Sequence, residues 1–203
     1  MMKLLVATKN LGKAREISSF LGESFGRRIK VVSLNDLSGA PDVEETGETF
    51  EENAVLKAKA YFEWSGIPSV ADDAGLEIDF LNGEPGVKSR RWLGYEMSDQ
   101  EMIDTALEKL RGVPKEKRTA RLAAVGVYYD GKNMLVEKGS IDGYIAEEQA
   151  IECEKGYPFR TIFVVSRFGK LYQQLTHEEH EQLNHRKLLY GRLASRILSL
   201  MDK

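Results

Sequence analysis

The order of elements in this sequence predicts a mixed α/β fold, with one extended sheet serving two lobes. Short apolar runs alternate with helix-start signals through the first half, a β-rich stretch fills the middle, and helices close the chain. That alternation is the pattern of layered α/β packing. A chain of 203 residues can bury one sizeable core, and no internal repeat, low-complexity tract or linker breaks it. A single two-lobed domain spanning residues 1–203 is expected.

LLVA (4–7) suits a buried strand, and Asn10 can cap a helix through GKAREISSFLGE, where Ala14, Ile17, Phe20 and Leu21 share a face. IKVVSL (29–34) reads as the next strand, and the acidic loop NDLSGAPDVEETGE follows. Thr49-x-x-Glu52 is a capping-box signature, with Phe50, Ala54, Ala58 and Tyr61 at helical spacing behind it. Ile67–Ala71 and Gly75–Phe80 read as two strands flanking an Asp-Asp-Ala turn, and NGEPG (82–86) is a turn by composition. Ser98-x-x-Glu101 opens a helix that ends near Gly112-Val113-Pro114. ARLAAVGVYY and MLVEKGS are strands joined through Asp130-Gly131, and TIFVVS (161–166) is one more strand. Thr176-x-x-Glu179 starts a short helix, and an amphipathic helix runs from about 187 to 201.

With 42% hydrophobic and 30% charged residues, the composition is that of an ordinary globular protein. A formal net charge of −3 speaks against binding nucleic acid through a broad basic surface, while leaving room for a small basic pocket. The lone cysteine, Cys153, has no intrachain disulfide partner, which fits a reducing compartment. The apolar run in MMKLLVATKN is too short for a signal peptide or membrane span, so a cytoplasmic protein without membrane contact is expected.

Four segments carry possible chemistry. In ATKNLGKAREI a strand runs into a helix start, where unpaired N–H groups meet the positive end of the helix dipole. Thr8 and Asn10 add polar groups and Lys9 and Lys13 add charge, making a candidate anion cradle. An ordinary capped helix start reads the same way, and the Walker pattern GxxxxGK[ST] is absent. In DVEETGETFEENAVLKAKA, Glu44 stands in the loop and Lys57 inside the helix, whereas Glu48, Glu51 and Glu52 fit solvated first-turn acids.

VADDAGLEIDF holds the adjacent acids Asp72 and Asp73, either turn chemistry or ligands for a hard cation such as Mg²⁺. Glu44 and Asp73 would supply carboxylates to that ion, and Lys13 and Lys57 would hold phosphates. Neighbouring side chains on an extended backbone diverge, so one of the two aspartates is expected to support rather than coordinate. In the last segment, EKGYPFRTIF offers Tyr157 and Phe159 as an aromatic face for a base, and NHRKLL offers His185 and Arg186 as hydrogen-bonding groups. Core packing of Tyr157 and Phe159 and capping by His185 is the reading that holds unless the other segments converge on the same site.

Together, LLVATKNLGKAREI, EETGETFEENAVLKAKA and ADDAGLEIDFLNGEPGVKSRRW resemble the inosine triphosphatase family, the Ham1-like pyrophosphatases of non-canonical purine nucleoside triphosphates. The resemblance runs from residue 3 to about 198. It implies two α/β lobes on a long mixed sheet flanking an active-site cleft, a homodimer, and Mg²⁺-dependent hydrolysis of a nucleoside triphosphate such as ITP, dITP or XTP to the monophosphate and pyrophosphate. It places triphosphate contacts on Thr8, Lys9, Asn10, Lys13 and Lys57, and metal association on Glu44 and Asp73. Asp73 takes the position of the catalytic base, with Asp72 as the neighbouring acid. His185 and Arg186 match the pair that holds the base, and Arg91 matches the arginine after the GxPG turn.

The second half departs from the family pattern. Ala74 stands where serine or threonine is usual, His180 where a lysine is, and Asn184 where the serine before His-Arg is. In GYPFRTIF, Arg160 follows Phe159 at the position of the base-recognising aspartate. Aspartate accepts hydrogen bonds and arginine only donates, so retained phosphate chemistry with altered base selectivity is expected. A catalytically weak nucleotide-binding protein of the same fold is the alternative, although the set Glu44, Asp73, Lys13 and Lys57 is more than binding alone needs. A general phosphohydrolase is disfavoured, because no histidine-rich cluster or nucleophilic serine or cysteine motif is present.

Overall fold

A computed structural model describes residues 2–202. The opening apolar run forms β1 (Met2–Val6), in which Leu4, Leu5 and Val6 are wholly buried. The short link after it ends at Asn10, which caps α1 (Leu11–Phe25). Its side-chain oxygen accepts from the N–H groups of Gly12 at 2.9 Å and Lys13 at 3.1 Å, satisfying donors that a helix start leaves open. α1 turns Ala14, Ile17, Leu21 and Phe25 inward and leads to β2 (Ile29–Ser33), which pairs in parallel with β1.

The capping box forms as expected. Thr49 accepts from the N–H of Glu52, Glu52 reaches back to Thr49, and α2 (Phe50–Ser65) follows. Its buried face holds Phe50, Ala54, Ala58 and Tyr61, together with one polar residue, Asn53. The chain then returns as β3 (Ser69–Ile78), parallel to the other edge of β1. Here expectation and structure differ. No turn separates two strands, because Asp72 and Asp73 lie within one continuous strand of 10 residues. Extended backbone sends the two carboxylates to opposite faces, and each meets a cation there, so no loop is needed to accommodate them. Phe80 falls in a short 3₁₀ turn after the strand.

The elements α3 (Asp99–Lys109), β4 (Thr119–Tyr129) and β5 (Met134–Ile145) come next. The turn between β4 and β5 is closed by Asp130, whose carboxylate accepts from the backbone of Lys132 and Asn133. β5 runs five residues past the expected end at Ser140, whereas TIFVVS contributes only β6 (Phe163–Val165). β6 pairs antiparallel with β5 and with the two-residue β7 (Lys170–Leu171). α4 (His177–Leu183) and α5 (His185–Met201) close the chain, α5 beginning two residues before the expected 187. Among the described residues the mixed sheet has seven strands in the order β2-β1-β3-β4-β5-β6-β7.

The chain divides into two compact units. One runs through Asp73 and includes Ala124–Gly139 and the chain from His185 onward; the other comprises Ala74–Ala123 and Ser140–Asn184. In the first unit, α1 and α5 bury Ile17, Leu21, Leu189, Leu193 and Ile197. Gly126 lets α5 approach β4, since a Cβ there would lie 2.5 Å from Leu189 Cδ2. The second unit has its own core of Leu76, Ile78, Met97, Ile103, Leu110, Ile145 and Phe163. Among the described residues no helix is long and apolar enough to cross a membrane.

Candidate active site

In an open parallel α/β sheet, ligand-binding groups gather beyond the carboxyl ends of the strands. The β1–β3 register ends at Val6 opposite Val70, so Thr8 and Asp72 both lie two residues past that pair. Thr8 Oγ1 accepts from the N–H of Asn10 at 3.3 Å, tightening the link into α1. Lys9 is exposed and pairs with Asp42. Lys13, one turn into α1, points back toward β3 and lies 3.4 Å from Asp72 Oδ2.

Asp72 is 2% exposed, and among the described residues neither of its oxygens has a hydrogen-bond partner within bonding geometry. Two cations face the same oxygen: Lys13, and Arg186 Nε at 3.5 Å. Arg186, in the first turn of α5, also reaches Glu16 of α1 at 3.2 Å. Burial pushes the Asp72 carboxyl up, but Lys13, Arg186 and Lys57 together outweigh it and hold the group below its ordinary range. Burial pulls the Lys13 ammonium down, and Arg186 and Lys57 reinforce this against the attraction of Asp72. A half-buried lysine crowded by other cations is a place where a polyanion is welcome.

Asp73 faces a different set of groups. Lys57 Nζ lies 3.6 Å from its Oδ1, and Asn53 Nδ2 donates to its Oδ2 at 3.2 Å. Burial raises this carboxyl above its ordinary range, with Glu45 adding to the rise, against the opposing pull of Lys57, Lys13 and Asn53. Two neighbouring aspartates are thus shifted in opposite senses: Asp72 is fixed as an anion and Asp73 is made the readier proton acceptor. Lys57 has its ammonium held up by Asp73, Asp72 and Glu45 in spite of burial.

The Glu45 carboxylate joins this group, accepting from Lys57 at 2.9 Å. Glu44, the residue expected to associate with the metal, is exposed, and its neighbour Glu45 is the loop acid that meets Lys57. Sequence reasoning also passed over Glu16, Glu45 and Asn53. A signal existed for Asn53, because it falls on the apolar stripe of α2 between Phe50 and Ala54.

The remaining expected residues fall in two places. His185 is buried at the start of α5 beside Gly139, where a Cβ would meet its carbonyl oxygen at 2.8 Å. Phe159, Arg160, His180 and Asn184 belong to the second unit. There Arg160 lies 3.6 Å from the Tyr157 ring centre and 5.0 Å from that of Tyr172, and pairs with Glu154 at 3.4 Å. His180 meets Tyr172 edge-on, and Phe159 is buried in the core. Arg91 is exposed, and Ala74 is half-buried on β3.

Fold and charge cluster together define an α/β protein whose strand ends combine buried and half-buried cations with a divided pair of acids. The chain belongs to the Ham1 family, whose model matches residues 4–194. It is 43% identical over 187 residues to a dITP/XTP pyrophosphatase of Geobacillus kaustophilus, covering 92% of this chain and 89% of that one. A dITP/XTP pyrophosphatase of Bacillus subtilis is 40% identical, with 92% of each chain covered. The solved Ham1 protein of Coxiella burnetii superposes with a TM-score of 0.84 at 31% identity, covering 98% of this chain and 100% of that one.

Proposed function

We propose that this protein is a nucleoside-triphosphate pyrophosphatase that converts dITP, XTP and related non-canonical purine triphosphates to the monophosphate and pyrophosphate. The curated relatives carry that activity in their names. The single observation that carries it in this chain is the divided acid pair, Asp72 neutralised by Lys13 and Arg186 and Asp73 raised beside Lys57.

A triphosphate brings several negative charges that must be balanced before a nucleophile approaches. Lys13 and Lys57 supply fixed charge, and the capped start of α1 adds oriented N–H groups. Asp73 accepts the proton of a water aligned on the α-phosphate, which its raised carboxyl favours over that of Asp72. Asp72 keeps Lys13 and Arg186 in place without competing for that proton. Among the described residues no cluster of three or more acidic, histidine or cysteine groups could cage a metal ion. That fits Mg²⁺, which uses one or two carboxylates with waters and substrate phosphates, and Asp73 with Glu45 are the oxygen donors suited to hold it. When bound, the ion would neutralise and polarise phosphate oxygens.

The test is release of pyrophosphate from dITP and XTP with Mg²⁺ present or chelated. Asp73→Asn should lower kcat by at least about 100-fold, the usual scale for loss of a general base. Binding of nucleotide without any pyrophosphate release would instead establish the weakly catalytic reading.

A cytoplasmic homodimer is proposed on the family resemblance, supported by exposed apolar side chains Phe80, Leu93 and Tyr95, close in the sequence of the second unit. Light scattering giving the mass of one 22.9 kDa chain would remove the dimer.

A further inference from the structure

Asn53 sits on the core-facing stripe of α2 and is 2% exposed. Its side-chain oxygen accepts from the Gly47 N–H at 2.7 Å, while its amide nitrogen donates to Asp73 Oδ2 at 3.2 Å. A backbone N–H can only donate, so the Gly47 bond fixes the amide's orientation and forces its NH₂ toward the carboxylate. Gly47 itself has no room for a side chain: a Cβ there would lie 2.6 Å from Glu52 Cβ and 2.7 Å from Asn53 Oδ1. One amide therefore ties the loop that carries Glu45 to the strand that carries Asp73.

Lys57, one turn further along α2, faces the other oxygen, Asp73 Oδ1, at 3.6 Å. An ammonium is a mobile point charge that attracts a carboxylate without setting its plane. Asn53 supplies a directional bond.

We propose that Asn53 is the positioning residue of the active-site carboxylate: it immobilises Asp73 Oδ2 and thereby presents Oδ1 to the reacting water. This rests on the reading of Asp73 as the proton acceptor given above. Directional support behind a functional carboxylate is commonly worth about 10–100-fold in activity.

The test compares Asn53→Asp with Asn53→Ala. Aspartate keeps an oxygen for the Gly47 N–H but replaces the donor to Asp73 with a repelling group, so it separates holding the loop from orienting the carboxylate. Asn53→Asp should retain slow hydrogen exchange at the Gly47 amide and lower kcat on dITP by roughly 10–100-fold, with KM little changed. Asn53→Ala should lose the Gly47 protection as well. In the full chain without nucleotide, NMR of the Asn53 side-chain NH₂ should show faster solvent exchange in Asp73→Ala than in the parent. Parental kcat in Asn53→Asp, an effect confined to KM, or an Asn53 NH₂ signal indifferent to Asp73→Ala would each overturn the proposal. A parent that releases no pyrophosphate from any nucleotide would strike the activity reading instead, and the NMR comparison would still decide the Asn53–Asp73 bond.

Discussion

At the scale of single residues, the adjacent aspartates have opposite linkage to pH. Asp72 has its carboxyl held low in the folded protein, so it stabilises the fold above the unfolded carboxylate range, near 3.9, and that contribution is lost as pH falls through its folded value. Asp73 has its carboxyl raised, so the folded state binds this proton more tightly than the unfolded chain does. Ionised Asp73 therefore costs stability at neutral pH, and the cost is relieved as pH falls through its raised value. Urea unfolding of the metal-free protein should show little loss of stability, or a small gain, as pH falls from neutral toward the unfolded carboxylate range, then a steep loss below about pH 4. Asp73→Asn should remove the first feature and raise stability at pH 7 by about 1 kcal/mol, the usual return for relieving a functional group. Asp72→Asn should be destabilising at pH 7, because it leaves Lys13 and Arg186 facing a neutral group. Equal and same-signed effects of the two substitutions would contradict this division. The roles of the pair were partly legible in sequence, since neighbours on an extended chain must diverge. Asn53 was not, because a polar residue on an apolar stripe reveals its purpose only when its partners, Gly47 and Asp73, are seen in space.

At the scale of elements, what was legible follows from how local each determinant is. Capping boxes at Thr49, Ser98 and Thr176 all formed, because each is written within four consecutive residues and closed by its own backbone. The Asp-Asp-Ala segment misled for the opposite reason. Small and acidic residues are turn signals by frequency, yet β3 keeps them extended because Lys13, Arg186 and Lys57 lie on other elements and neutralise the acids where they stand. Local composition cannot register such partners. β5 overran its expected end in the same way: SIDGYI carries polar residues and a glycine, but Gly143 is required by β6, where a Cβ would lie 2.3 Å from the Val164 carbonyl oxygen. A glycine that weakens a strand by propensity is here the condition for its pairing. The loop acid shows the finer limit. Glu44 and Glu45 are equivalent as letters, and only the reach of Lys57 selects Glu45.

At the scale of the whole molecule, the two units carry different degrees of departure from the family pattern, and this determines what should happen across a panel of nucleotides. The first unit holds the residues proposed to face phosphate, with Lys13 paired to Asp72 and Lys57 to Asp73. The second unit holds Arg160 where an acceptor was expected, and its guanidinium is already engaged by the Tyr157 and Tyr172 rings and by Glu154. A guanidinium offers only donors, so it cannot accept from the ring N–H of a 6-keto purine, the contact that would separate inosine and xanthosine from adenosine. A lost hydrogen bond of this kind matters greatly for discrimination, because sites built around one reject analogues by about 10⁴–10⁵, whereas sites that rely on shape alone manage about 10–200. Steady-state kcat/KM measured for inosine, xanthosine and adenosine triphosphates should therefore differ by no more than roughly 200-fold across the set. Arg160→Asp should restore an acceptor and widen the spread in favour of inosine and xanthosine while leaving kcat on the best substrate near the parental value. A parental preference of several thousand-fold for inosine and xanthosine, or a spread that Arg160→Asp leaves unchanged, would place base selection on groups other than Arg160.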